Sequence, residues 1–423
     1  MKLSLRRFSL RTGLVLLTIC AIGCAWFAKH WAEAKKQKSA VAEIQAAGGR
    51  VGYGTLERRQ KADDSPGLLR NWLGDWLGKD FFEPVTSVWF NSPKDAFQCS
   101  TKALSQLPDL REVTILGLTD VSPQSIRELR NVAGLRELSI VRQHLSEEIL
   151  DALAELNQLE ELSICYLNSN DTMAGLAKMR HLKSLYMSWN LNPMVGDVPP
   201  ADELASILTE LPQLKSLSLF GTDITDAGLR ELCRLNQLEQ FTVGSQKITG
   251  ASIPHVAKMS QLKFLGAWGW DVNDQDLTTI TPQSLPSLTG LDWFVKNATD
   301  DGVKHLAQFN LEMLRLSGNG ISDEALRVLQ KMKSLERLDV GSTAVDPLGN
   351  AVKEFKTALP DCRLQIPKTK KQLEMERSFN NWRFGGMGQP AKLAPTNLST
   401  VIIEVNQPAA SASPLTKPQN DSQ

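Results

Sequence analysis

The pattern Leu-x-x-Leu-x-Leu, or its apolar equivalent, returns along this chain at nearly constant spacing, and no other feature restricts the fold as much. Its first position falls at Leu110, Leu135, Leu159, Leu182, Leu214, Leu238, Leu262, Leu288, Leu311 and Leu335. The intervals are 25, 24, 23, 32, 24, 24, 26, 23 and 24 residues. A fixed period of this length marks a solenoid of stacked units. Within one unit, Leu214, Leu217 and Leu219 alternate as on a strand, then Leu229, Leu232 and Leu235 follow at helical spacing. One strand–helix unit cannot bury its apolar face alone, whereas stacked neighbours can. Val85-x-x-Val88-x-Phe90 reads as an earlier strand, and Cys362–Ile366 as a closing one. The expected fold class is α/β: a solenoid over residues 85–366, with a parallel sheet on the concave side and helices on the convex side.

The helix starts keep the same period. Ser122, Ser146, Thr225, Thr249, Asn273, Thr299, Ser322 and Asp346 stand where an N-cap is needed. Pro123 and Pro347, or the acids Glu147, Asp226, Asp274, Asp300 and Asp323, follow. Proline suits a first helical turn, and an acid suits the positive end of the helix dipole. The acidic column therefore reads as capping, not as a metal site.

Segments such as Leu214–Leu229 (LKSLSLFGTDITDAGL) and Leu311–Leu326 resemble the leucine-rich-repeat family, in the subtype with an I-T-D-x-G-L loop. Together with R-R-F-S-L-R-T and the apolar run behind it, they resemble membrane-anchored repeat proteins of planctomycete-type bacteria. The resemblance implies a horseshoe fold and a protein or ligand interaction role without catalysis. The loop position that the family often fills with Asn or Cys varies here (Thr222, Gln246, Trp270, Lys296, Asn319, Thr343), so a continuous buried ladder is not expected.

The N-terminus reads as a membrane anchor over residues 1–31. Arg6, Arg7 and Arg11 precede an uncharged run from Thr12 to Ala28, which at about 1.5 Å per residue barely crosses a hydrocarbon core of about 30 Å. Trp26 and Trp31 suit the interface. A cleaved signal peptide, or a lipoprotein using Ala21-Ile22-Gly23-Cys24, is the alternative. The expected placement is single-pass, with the bulk outside the cytoplasm. Residues 32–84 read as a juxtamembrane helix stopped by Gly48-Gly49, a short strand at Arg50–Tyr53, and an amphipathic helix over Leu68–Leu77, together capping the solenoid. Residues 367–423 lose the period and turn rich in Pro, Ser, Asn and Gln, which reads as a mostly disordered tail.

Binding is expected on the concave face, formed by positions three, five and seven of each strand. Early repeats place Glu112, Glu137 and Glu161 there, a solvated face or a partner- or cation-binding rung. Middle repeats bring Tyr186, Trp189, Phe220, Phe264, Trp268, Trp270 and Phe294, although aromatics are only 6% of the chain. These seven are the candidate partner-binding residues. Trp189 and Trp270, which lie in loops, have packing between repeats as their alternative role. The 32-residue interval adds a loop, Asn190–Asp202, beside Trp189.

Other function classes find no support. Eight of the 47 Lys and Arg fall in residues 1–40 beside one acid, so the rest is slightly acidic and offers no nucleic-acid surface. The six cysteines form no C-x-x-C pair, and the five histidines are scattered. No phosphate loop, H-E-x-x-H or G-x-S-x-G occurs, so neither a catalytic, a cofactor nor a metal site is expected. The function expected is a membrane-tethered, non-catalytic scaffold that binds a protein or peptide. A structural cell-envelope component, or an adaptor subunit of a larger complex such as a ubiquitin ligase, is the alternative.

Overall fold

The computed structural model describes residues 10–54, 79–90, 95–116, 121–141, 145–167, 173–189, 201–318 and 320–368. Thirteen strands form one sheet in sequence order. They are β1 (Gly49–Tyr53), β2 (Val85–Phe90), β3 (Glu112–Leu116), β4 (Glu137–Val141), β5 (Glu161–Leu167), β6 (Ser184–Trp189) and β7 (Ser216–Phe220). Then follow β8 (Gln240–Gly244), β9 (Phe264–Trp268), β10 (Gly290–Phe294), β11 (Met313–Gly318), β12 (Arg337–Thr343) and β13 (Arg363–Gln365). β1 pairs antiparallel with β2. From β2 onward each pair is parallel, as the repeat predicts.

The register puts equivalent residues side by side. One core row runs Val113, Leu138, Leu162, Leu185, Leu217, Phe241, Leu265, Leu291, Leu314 and Leu338, each paired to the next. All ten are buried. Each buried leucine contributes roughly 1.5–3 kcal/mol. Helical segments pack behind, from ten residues at Asp95–Leu104 to single turns at Ile253–Val256 and Asp274–Leu277. Strands lie about 4.8 Å apart and packed helices 8–10 Å, so the sheet side is the concave one.

The expected N-caps form at most starts. Ser122, Thr225, Thr249, Asn273, Thr299 and Ser322 accept from backbone N–H groups of the first turn. Ser146 caps by position, without a side-chain bond to the backbone of the first turn. Asp346 differs: its side chain closes a turn onto Leu348, and the helix starts later, at Asn350. Pro347 is accordingly not at a first helical turn.

The acidic column does more than favour the dipole. Four acids, Asp202, Asp226, Asp274 and Asp300, each grip the cap of the next repeat. Asp202 accepts from Thr225 N–H (2.9 Å) and Oγ1 (2.6 Å). Asp226 does the same for Thr249, Asp274 for Thr299 and Asp300 for Ser322. The glycine of the I-T-D-x-G-L loop makes room for this bond. A Cβ on Gly228 would lie 2.2 Å from Asp202 Oδ1, and one on Gly302 2.3 Å from Asp274 Oδ1. Where the acid is missing, at Gly250, Asp276 reaches back to Asn273 N–H within its own helix and fills the space over that glycine. No Asn ladder is needed in the loops. Thr222 Oγ1 donates to Gly244 O (3.2 Å), Ser245 Oγ to Ile224 O (2.7 Å) and Trp270 Nε1 to Val243 O (2.8 Å).

At the N-terminal end, the apolar run and the following basic segment form one helix, α1 (Leu10–Ala46). It stops because Gly48 adopts φ 84°, a conformation that side chains disfavour. Ala40, Val41 and Ile44 are buried against the first repeats. Gln37 donates to Asp80 Oδ1 (3.2 Å) and Glu83 O (2.9 Å) and accepts from Val85 N–H (3.1 Å). The predicted short strand is β1. Leu14, Val15, Leu17, Ile19, Ile22, Trp26, Phe27 and Trp31 on α1 are exposed.

The expectation of a membrane anchor is corrected. Among the described residues no helix is long and apolar enough to cross a membrane. The uncharged stretch of α1 is short, is diluted by Thr18, Cys20, Gly23 and Cys24, and is followed by Lys29, Lys35, Lys36 and Lys38. With it fall the single-pass placement, the membrane as partner, and the bulk outside the cytoplasm. The Leu68–Leu77 helix, the Asn190–Pro200 part of the inserted loop and residues 369–423 of the tail lie outside the described residues.

The acid–glycine packing is testable by a double-mutant cycle. Gly228→Ala should destabilise by about 1–3 kcal/mol, the usual cost of forcing a methyl into filled space. In an Asp202→Ala background the same change should cost far less. Urea unfolding of the four proteins measures the coupling; additive effects would show that glycine and carboxylate do not share the space.

Candidate functional site

The seven aromatic residues divide by burial. Trp270 is fully buried, forms the hydrogen bond to Val243 O and meets Trp293 edge-on at 6.4 Å. Trp189 is buried at the end of β6. Both side chains belong to the core, in the packing role that their loop positions allowed. Tyr186, Phe220, Phe264, Trp268 and Phe294 occupy concave-face positions on β6, β7, β9 and β10. Phe294 is 41% exposed, and the other four are half-buried.

Four of these rings form a connected tract across five strands. Tyr186 meets Phe220 at 5.6 Å, Phe220 meets Trp268 edge-on at 5.5 Å, and Trp268 stacks on Phe294 at 5.3 Å. These separations suit favourable aromatic pairs. β8 contributes no ring, yet Phe220 and Trp268 still touch. The reason is Gly244, over which Phe220 leans: a Cβ there would stand 3.3 Å from Phe220 Cδ1. Phe264 likewise reclines over Gly290, where a Cβ would meet its Cδ2 at 2.6 Å. Phe220 and Phe264 thus lean along the sheet into space that glycines leave open.

A polar group sits within this tract. Asp292 holds position five of β10 and is only 5% exposed. Its Oδ2 accepts from Trp268 Nε1 (3.1 Å) and from Arg315 Nη1 (3.1 Å). Arg315 Nε also donates to Asp339 Oδ2 (3.2 Å). Asp292 Oδ1 is buried and has no hydrogen-bond partner among the described residues. Burial outweighs the attraction of Arg315 and the Trp268 N–H, and pushes the Asp292 carboxyl up to about 6. Sequence reasoning by residue type passed over this group. The signal was present in the position-five column, where Asp292, Arg315 and Asp339 follow one another with alternating charge.

The acidic rung lies elsewhere on the same face. Glu112, Glu137 and Glu161 are in register on β3, β4 and β5. Burial, with Glu161 and Glu112 on either side, pushes Glu137 up to about 7. Glu161 is raised in the same direction, also by burial first. A polar cleft of about 390 Å³, lined by residues including Arg111, Arg136 and Glu160, lies beside the early repeats. Arg136 there already donates to Ala133 O and Leu135 O.

The rung gives a pH dependence with a definite sign. In the unfolded chain Glu137 releases its proton near 4.5, whereas in the fold it keeps it to about 7. Folded protein therefore binds more protons in that window, so stability is present below 4.5 and lost as the pH rises to about 7. Thermal unfolding from pH 4.5 to 7.5 should show this decline, and Glu137→Gln should make it shallower, leaving the part due to Glu161 and Asp292. An equal decline in the variant would place its origin elsewhere.

A family model agrees with the repeat architecture over two segments of the chain. Among curated proteins, no sequence matches this chain significantly. Among solved structures it is similar to an internalin from Listeria monocytogenes, at 18% identity over 63% of this chain and 77% of that one, with a TM-score of 0.40. It is similar to the Rad7 and Elc1 complex of yeast at 17% identity, over 81% and 96%, with a TM-score of 0.48. A leucine-rich-repeat protein of Leptospira interrogans matches at 16% identity over 63% and 74%, with a TM-score of 0.35. The family model described as Leucine Rich repeat matches residues 211–233 and 307–329, so these two segments of the solenoid are leucine-rich repeats.

Proposed function

We propose that this chain is a non-catalytic protein-interaction scaffold, with a solenoid over residues 85–366 that holds an extended segment of a protein partner on its concave face. The observation that carries this reading is the connected ring tract from Tyr186 to Phe294. Binding energy at protein interfaces concentrates in a few aromatic and arginine anchors near the centre of the patch. The tract stands in the middle repeats and crosses β6 to β10. Five strands at about 4.8 Å each span about 20 Å, the length of a six-residue extended peptide. The rings are also held by their neighbours before any ligand arrives. Ordering them on binding therefore costs little, which favours affinity.

The test uses a displayed library of random dodecapeptides, panned against the full chain. Selected peptides should lose at least about tenfold in affinity for a Trp268→Ala, Phe294→Ala double variant, because each lost anchor typically costs more than about 1 kcal/mol. Isothermal calorimetry measures the loss, and circular dichroism checks that the variant keeps its fold. Undiminished affinity in a folded variant would remove the tract from the binding site.

A further inference from the structure

Asp292 is costly to the fold as it stands. A carboxylate at 5% exposure has lost most of its water, and such a group is retained when its charge and all its acceptor sites are met. They are not met here. Among the described residues Arg315 donates to both carboxylates, Asp292 and Asp339, so these three side chains sum to one net negative charge when ionised. Two donors, the Trp268 indole and the Arg315 guanidinium, crowd onto Oδ2. Oδ1 has none among the described residues.

The surroundings select what would complete it. An ionised carboxylate only accepts, so the missing group is a donor. The uncompensated charge asks for a positive one. Trp268 bonds Asp292 directly and Phe294 stacks on Trp268, and the faces of such rings attract cations. A guanidinium binds best by pairing both oxygens of a carboxylate, and Oδ2 is already taken twice. A lysine ammonium, a compact point charge that needs one oxygen, fits the single free acceptor. Neighbouring side chains cover Asp292 although it stands on the open face, so entry means displacing one of them. Phe294, two residues along the same strand, is the most exposed ring of the tract.

We propose that Asp292 Oδ1, beside Trp268 and Phe294, is a recognition point for a lysine side chain of the segment held on the concave face. The inference rests on the reading of that face as a peptide-binding surface, and it adds the chemical identity of one residue of the partner.

Two capped pentapeptides serve as probes, Ala-Phe-Lys-Phe-Ala and the same peptide with norleucine in place of lysine. The readout is the indole N–H resonance of Trp268 in the full chain, assigned by its absence from Trp268→Phe. The lysine peptide should bind at least about tenfold tighter than the norleucine peptide, as a charge-assisted hydrogen bond contributes about 1.5–3 kcal/mol. Asp292→Asn, which keeps the shape and removes the charge, should abolish the preference. Arg315→Gln, which removes the competing cation, should enlarge it. A role in folding alone predicts no such opposite effects of the two substitutions on the lysine preference. Equal binding of both peptides, or no shift of the Trp268 resonance by the lysine peptide, overturns the proposal. If both bind equally but lose affinity, measured by calorimetry, in the Trp268→Ala, Phe294→Ala variant, the lysine recognition fails while the aromatic surface stands. If binding is indifferent to both rings, the surface itself is wrong.

Discussion

A leucine in this protein is buried largely by the apolar side chains of the repeats beside it. No unit has enough apolar surface to fold alone, so everything depends on neighbours meeting in register. The paired row from Val113 to Leu338 expresses that dependence in the core. The carboxylate grip of Asp202, Asp226, Asp274 and Asp300 on the next repeat's cap expresses it at the helix starts. Hydrophobic contact alone is non-directional; a two-point hydrogen bond is not. The acid therefore fixes how one repeat is seated on the next, and the glycine that yields it space is part of the same device. The exposed end of the row is closed by different means, with Ala40, Val41 and Ile44 of α1 as cover and β1 turned antiparallel against β2.

Much of this was legible in the sequence because a repeat shows the same physical need many times over. Strand positions, most caps and the parallel order followed from the period. What the period could not show was contact between repeats. Asp226 suits a helix dipole on its own, and only the stacked structure reveals Thr249 in its grasp. For Trp189 and Trp270, contact between repeats likewise decides, and it favours the packing role over the surface one. A tryptophan in a loop is open to either role, and Trp270 finds a carbonyl of the preceding repeat for its N–H and becomes core. The anchor misread composition: an uncharged run beside arginines looks like a span, yet its small and polar residues leave too little apolar length.

The concave face is a by-product of the same register that becomes useful. Because strands pair without slippage from β6 to β10, side chains at one position line up as rows. A row of large residues would stand upright and crowd. Gly244 and Gly290 interrupt two rows, and the neighbouring rings lie down into the gaps. The absence of a side chain on one strand thus creates the contact between Phe220 and Trp268 on its flanks. Reading aromatics alone finds the rings but not the surface, since the surface is made equally by the glycines.

These features weaken the fold locally. A glycine inside a strand costs about 0.5–1 kcal/mol relative to alanine, and a half-satisfied buried carboxylate costs more. They occur where a solenoid tolerates them best. In such an array stability is close to a sum of repeat terms and nearest-neighbour terms. A middle repeat has two interfaces to compensate its defects, while a terminal one has a single interface. β8, β9 and β10 all have repeats on both sides, and Leu265 and Leu291 beneath the tract keep the unbroken core row. The core row carries the stability, which leaves the opposite face of the same strands free to hold glycines, reclining rings and an incompletely paired charge.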